Sequence, residues 1–157
     1  MFRYGQRDLI VCGVASASVI VRGDMLEKSS SDEDVTPASA HTWNTDEHTT
    51  QAEFANTFIG IAYEASANGD TADISVDWSA TAVYEFDVVS ATYNPGERLA
   101  PDSASSLLED QKLDKTDSNV NAIARSVEEK SSAATRLKMV FASAYNPAAN
   151  NLNSVVG

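Results

Sequence analysis

The chain has 157 residues, with 11 basic against 23 acidic side chains, a net charge of −12 at neutral pH and a pI near 4.4. That length suffices for one domain with a real core and is short for two, and the charge argues against nucleic acid as a partner, because phosphate binding needs clustered Lys and Arg. The single cysteine, Cys12, excludes an intramolecular disulfide and a thiolate metal site, and no window is long and apolar enough to span a membrane.

Residues 1–28 are expected to form an N-terminal arm and a first β-hairpin. The opening MFRYGQRDLIVCGVASAS shares features with a secretory signal: Arg3 and Arg7 precede an apolar stretch, and Ala15-Ser16-Ala17 fits the small-residue cleavage rule. Asp8 interrupts that entry and the apolar stretch is short, so residues 9–21 read better as one or two strands broken at Gly13, with Cys12 a small core residue. Arg22-Gly23-Asp24 favours a turn, and Met25-Leu26 begins the return strand. The triplet also matches an integrin-binding motif, but three common residues at a turn site carry little specificity.

Residues 29–57 are rich in Ser, Thr and Asp, contain Pro37, and show no sustained periodicity. The expectation is a long acidic loop or excursion, anchored by Trp43 or using that aromatic to touch a partner. The rest of the domain is assigned to residues 58–145. It opens on FIGIAYEASANGDTADISVDW, whose pattern returns at residues 122–141: a short apolar element (Ile61-Ala62, then Ile123-Ala124), a polar crossing, and an alternating stretch. Ala72, Ile74, Val76 and Trp78 alternate in the first unit; Ala133, Thr135, Leu137, Met139 and Phe141 alternate in the second. Period two places one face inward and one in water, so the units read as two similar β-hairpins.

Between them, residues 82–89 read as a strand, Asn94-Pro95-Gly96 as a turn, and residues 102–115 as a short helix capped by Asp102 or Ser103, with Leu107, Leu108, Gln111 and Lys112 on one face. Asn146-Pro147 ends the last strand, and residues 146–157 read as a flexible tail. Charge is unevenly spread: residues 29–110 carry sixteen acidic side chains and one basic, Arg98, whereas residues 112–157 carry six basic and four acidic.

The chain contains neither a nucleophile elbow nor a phosphate-binding loop. His41 and His48 with Asp46 and Glu47 resemble a metal site, but their spacing matches no helical i, i+4 pair, and solvated loop histidines are the expectation. A metal-dependent hydrolase using His41, Asp46 and His48 is the corresponding enzymatic rival. Asp70, Asp73 and Asp77 suggest acid–base pairs or a calcium contact, yet Asp73 and Asp77 share an alternating strand with Ser75 and are expected on a hydrated face. The reading is mainly β, a small β-barrel or β-sandwich with a long acidic loop and at most one short helix, without enzymatic activity, metal or cofactor.

The order of these segments resembles the small head decoration, or capsid cement, proteins of tailed bacteriophages. The likeness runs through a strand into a Gly-Asp turn and short return (residues 19–26), an FIGIA element with a following Gly-Asp and alternating strand (58–76), and a late IA element with a final alternating strand (123–141). It covers residues 14–142 and departs from the simplest form in residues 29–57 and in 102–115. The resemblance implies a β-rich virion structural protein, a homotrimer on the outer capsid surface after assembly in the host cytoplasm. It would bind the major capsid protein and stabilise contacts between its subunits, with neither nucleic acid nor membrane as partner. Contact residues implied on this reading are Phe2, Arg3, Tyr4, Arg7 and Trp43, with Arg125, Arg136 and Lys138 meeting acidic shell surface. A carbohydrate-binding or tail-associated module, using Trp43 or Trp78, is the alternative.

Overall fold

The computed structural model describes residues 1–28 and 34–148. The chain is mainly β. Its strands are β1 (Phe2–Tyr4), β2 (Leu9–Cys12), β3 (Met25–Lys28), β4 (Val35–Pro37), β5 (Phe58–Ala62), β6 (Ile74–Asp77), β7 (Val83–Tyr93), β8 (Arg98–Ala104), β9 (Leu107–Lys115), β10 (Ala124–Ser126) and β11 (Lys130–Phe141). One α-helix, α1 (Glu47–Thr57), lies between β4 and β5.

The strands form two sheets, and each turns back on itself. In the first, the order β7-β11-β10-β8-β9 is closed by a parallel pairing of β9 with β7 at Asp87↔Lys112 and Val88↔Leu113, which makes a five-stranded barrel. β1 pairs with β7 at Phe2↔Tyr84. In the second, the order is β2-β6-β5-β3-β4, and a parallel bridge Val14↔Val35 with Val35 N–H donating to Gly13 O at 2.9 Å brings β4 back to the chain just beyond β2. Closure satisfies backbone groups that an open edge would offer to another chain.

Each sheet encloses its own apolar cluster, and β5 is the wall between them. Phe58 and Ile61 join the larger cluster with Phe54, Phe86, Leu99, Leu113, Leu137 and Phe141, while Ile59 and Ala62 join Val14, Ile20, Leu26, Val35 and Val76. A regular strand would put residues 58 and 61 on opposite faces. The pairing of β3 with β5 slips between Leu26↔Gly60 and Glu27↔Phe58, and this irregularity reverses the facing halfway along β5. Gly60 permits it: a Cβ there would lie 2.3 Å from the Asp77 carbonyl oxygen on the neighbouring strand. All five residues of β5 are therefore buried.

Both expected hairpins of the repeated pattern are present, β5 with β6 in one sheet and β10 with β11 in the other. Ile74, Val76, Leu137, Met139 and Phe141 face inward, whereas Ala72, Ala133 and Thr135 are exposed. Four expectations are corrected. The first hairpin does not form: β2 pairs with β6, β3 pairs with β4 and β5, and residues 19–21 contribute only an Ile20↔Ser66 bridge.

Residues 102–115 are strand, not helix. β8 and β9 are joined by Ser105 and Ser106, both at positive φ (53° and 60°), the geometry of a two-residue hairpin turn that right-handed strand twist favours. Burial of Leu108 and Leu113 five residues apart, across a register shift, disguised the strand period.

The excursion 29–57 is largely ordered. After β4 and a 3-10 turn at Ala38–Ala40 comes α1, capped by Asp46, whose side chain accepts from Thr49 N–H at 2.8 Å. Its inner face is Thr50, Gln51, Phe54 and Ala55. Half of that face is polar: Gln51 Nε2 donates to Pro101 O at 2.7 Å, and Asn121 Nδ2 donates to Gln51 Oε1 at 3.1 Å. An apolar 3.6-residue period was therefore never there to be read. Residues 29–33, and the tail from residue 149 onward, lie outside the described residues.

Asp77, finally, is not on a hydrated face. It is 3% exposed at the seam between the sheets, accepting from Tyr84 Oη, from Ser79 N–H at 3.0 Å and from Asp8 N–H at 3.3 Å. Asp73 is exposed as expected.

Candidate interaction surface

The inward run Leu137, Met139 and Phe141 on β11 turns Arg136, Lys138 and Val140 outward. Register then adds neighbours from three other strands. Arg136 lies opposite Asp87 and Lys138 opposite Glu85 on β7, while Val140 lies opposite Arg125 on β10. Arg125 in turn lies opposite Arg98 on β8. From β1, the Arg3 guanidinium reaches Glu85 Oε1 at 2.5 Å. Arg3, Arg98, Arg125, Arg136 and Lys138 thus form a band on the outside of the barrel that crosses β1, β11, β10 and β8.

Carboxylates balance only part of this band. Arg136 Nε lies 3.4 Å from Glu85 and 3.3 Å from Asp87, and Lys138 Nζ lies 3.5 Å from Glu128. The Arg3 hydrogen bond, with Arg136 and Lys138 nearby, holds the Glu85 carboxyl below its usual range despite partial desolvation. Arg125 donates to Gly96 O at 3.2 Å, and neither it nor Arg98 forms an ion pair among the described residues. Arg98 and Arg125, paired across β8 and β10, therefore carry charge that no carboxylate at ion-pair distance among the described residues balances. Beside Arg125 is a shallow hollow of about 340 Å³ walled by Val140, Phe141 and Ala142. Arg98 was missed in the sequence, although it is the single base in the acidic stretch; only the β8–β10 register sets it beside Arg125.

The other anticipated contact residues lie elsewhere. Phe2 packs edge-on against Tyr84 with ring centroids 5.7 Å apart, and Arg7 stacks on Phe2 at 3.8 Å and faces the Tyr63 ring at 5.0 Å. Arg7 Nε is also 3.9 Å from Asp77 Oδ2, so Phe2 and Arg7 tie the N-terminal segment to the seam. Tyr4 is 57% exposed.

Trp43 is half-buried against the larger core and lines a pocket of about 450 Å³ with Glu27, His41 and Glu53. There His41 Nδ1 is 2.7 Å from Glu27 Oε2, Thr57 Oγ1 donates to the same oxygen at 2.8 Å, and His41 Nε2 is 4.0 Å from Glu53 Oε2.

The three residues of the hydrolase reading are engaged separately: His41 with Glu27, Asp46 as the cap of α1, and His48 exposed in the first turn of that helix. Among the described residues no three His, Cys, Asp or Glu side chains gather as a metal would require. The Arg22-Gly23-Asp24 triplet is a turn whose carboxylate points inward, with Asp24 3% exposed and accepting from Val21 N–H at 2.6 Å and Gln111 Nε2 at 2.7 Å.

Fold and surface together define a mainly β protein with a closed five-stranded barrel and a basic stripe on an acidic body. No family model and no curated protein matches the chain. Among solved structures it is similar to the N base of the head fiber gp8.5 of bacteriophage phi29, at 14% identity and a TM-score of 0.48, covering 86% of this chain and 95% of that one.

Proposed function

We propose that this chain is a non-enzymatic virion structural protein that binds the outer surface of a phage capsid and stabilises contacts between major capsid protein subunits. The observation that carries the reading is the Arg98–Arg125 pair beside Arg136 and Lys138 on the outer barrel wall, in a chain whose net charge is −12. A concentrated basic stripe on an acidic body orients the molecule toward an acidic surface and repels it elsewhere. The segment resemblance to decoration proteins supports the same reading. Assembly as a homotrimer would let modest contacts hold firmly, because each later contact is effectively intramolecular.

The test is the copy number of this chain in purified particles from its source, by quantitative peptide mass spectrometry against the most abundant shell protein. Near-equal abundance supports the proposal, a few copies per particle moves the assignment to a tail or accessory protein, and absence overturns it. Particle binding by an Arg98→Glu/Arg125→Glu variant tests the stripe itself.

The pocket beside Trp43 favours a second reading, a carbohydrate-binding module, since an aromatic with carboxyl groups and Asn44 around it suits a sugar ring. A glycan-array screen showing binding lost in Trp43→Ala would support it.

A further inference from the structure

A second surface, on the opposite side of the charge balance, lies where residues 19–24 meet the β8–β9 hairpin. It is an open groove of about 760 Å³. Val19, Val21 and Leu107 line it and are 55%, 54% and 48% exposed. Single exposed aliphatic residues are ordinary, but these come from two distant segments and line one groove.

The polar lining is one-sided, with Asp24, Asp87, Glu109 and Asp110 against Lys112. That amine is already held, 2.7 Å from Asp102 and 3.2 Å from Glu109, which raises its pKa to about 12. Asp87 shares Arg136 at 3.3 Å.

Asp24 and Asp110 have only neutral donors among the described residues. Asp24 takes Val21 N–H and Gln111 Nε2, and Asp110 takes Ser39 N–H at 2.6 Å and Ser39 Oγ at 2.9 Å. Such donors satisfy hydrogen-bonding capacity without cancelling charge. Asp24 is 3% exposed with its carboxyl turned inward, which leaves the partly exposed Asp110 as the carboxylate that a cation entering the groove would meet.

We infer that this groove docks a partner segment that carries both aliphatic side chains and Lys or Arg, the aliphatic groups seated against Val19, Val21 and Leu107 and a cation answering Asp110. The inference does not depend on the capsid reading.

The test titrates the full chain into a fluorescein-labelled peptide of alternating valine and lysine, read by fluorescence anisotropy, with a valine–glutamate peptide as control. The lysine peptide is expected to bind saturably and to weaken with added salt, and the glutamate peptide not to bind. Leu107→Ser, which leaves every charge in place, is expected to lower affinity by about tenfold, as is Asp110→Asn. Val19→Ser is a second charge-neutral variant should Leu107→Ser melt early, and Asp117→Asn, outside the groove, is expected to change little. Equal binding of both peptides would overturn the inference. So would unchanged affinity in Leu107→Ser and Val19→Ser, which would mean general attraction to an acidic protein. Self-association lost in Leu107→Ser, without peptide binding, would also overturn it in favour of a second copy.

Discussion

Tyr84 on β7 donates its phenolic hydrogen bond to Asp77 at the end of β6, across the seam where the chain passes from one sheet to the other. Asp77 is 3% exposed, so this donor stands in for water that cannot reach the carboxyl group. Tyr84→Phe keeps the ring contacts with Phe2 and Phe141 and removes only that donor. The expected loss is about 1–3 kcal/mol, the cost of leaving a buried acceptor short of a partner, measured by urea unfolding. A wild-type midpoint in the variant would show that the seam does not rely on this bond.

Alkaline titration should find the same tyrosine. Burial first, then the Asp77 hydrogen bond and charge, push the Tyr84 hydroxyl far above its ordinary value, and burial with nearby Asp114 and Glu97 pushes Tyr93 to about 12. In the unfolded chain a tyrosine ionises near about pH 10. The folded state holds these protons more tightly, so their contribution is whole below that pH and is lost as pH rises through the folded values. Ultraviolet titration of the chain's five tyrosines should therefore show a fraction that ionises late, together with unfolding, and the Tm should fall progressively above about pH 10.

Gly60 sits where β5 reverses its facing. An added Cβ would meet the Asp77 carbonyl oxygen at 2.3 Å and its carbon at 2.9 Å, both backbone atoms that cannot swing aside. Gly60→Ala is expected to destabilise by about 3 kcal/mol, at the upper end for overpacking, because separating β5 from β6 disturbs both cores. Thermal melting checks this, and a loss below about 1 kcal/mol would mean the strands give way easily.

The β8–β9 turn offers the opposite experiment. Ser105 and Ser106 both hold positive φ, which non-glycine residues adopt at a cost, whereas Asn-Gly suits the same turn. Ser105→Asn with Ser106→Gly is expected to stabilise by about 0.5–1 kcal/mol, because relieving a left-handed cost of roughly 1–2 kcal/mol at a non-glycine residue outweighs the roughly 0.5–1 kcal/mol of extra chain entropy that glycine loses on folding. The readout is the urea midpoint, and a lower midpoint would contradict the turn geometry.

What the residues alone determined was local. Strict alternation on Leu137, Met139 and Phe141 set both the last strand and its outward partners Arg136 and Lys138, because period two leaves no other arrangement with one dry face. Alternation at Ile74 and Val76 did the same for β6. Tertiary structure decided everything that depends on register or on polar docking. Asp77 alternates like a surface residue, and becomes an interior acceptor only because Tyr84, Ser79 and Asp8 converge on it. The helix α1 presents Thr50 and Gln51 to the core and is held by hydrogen bonds to distant residues, so its buried face has no apolar signature. Leu107 to Lys112 could satisfy a short helix or a strand until pairing with β8 and β7 consumed their backbone groups. The stripe shows the division most plainly: Arg136 and Lys138 follow from one strand's period, but Arg98 and Arg125, 27 positions apart in the sequence, become neighbours only through the antiparallel pairing of β8 with β10.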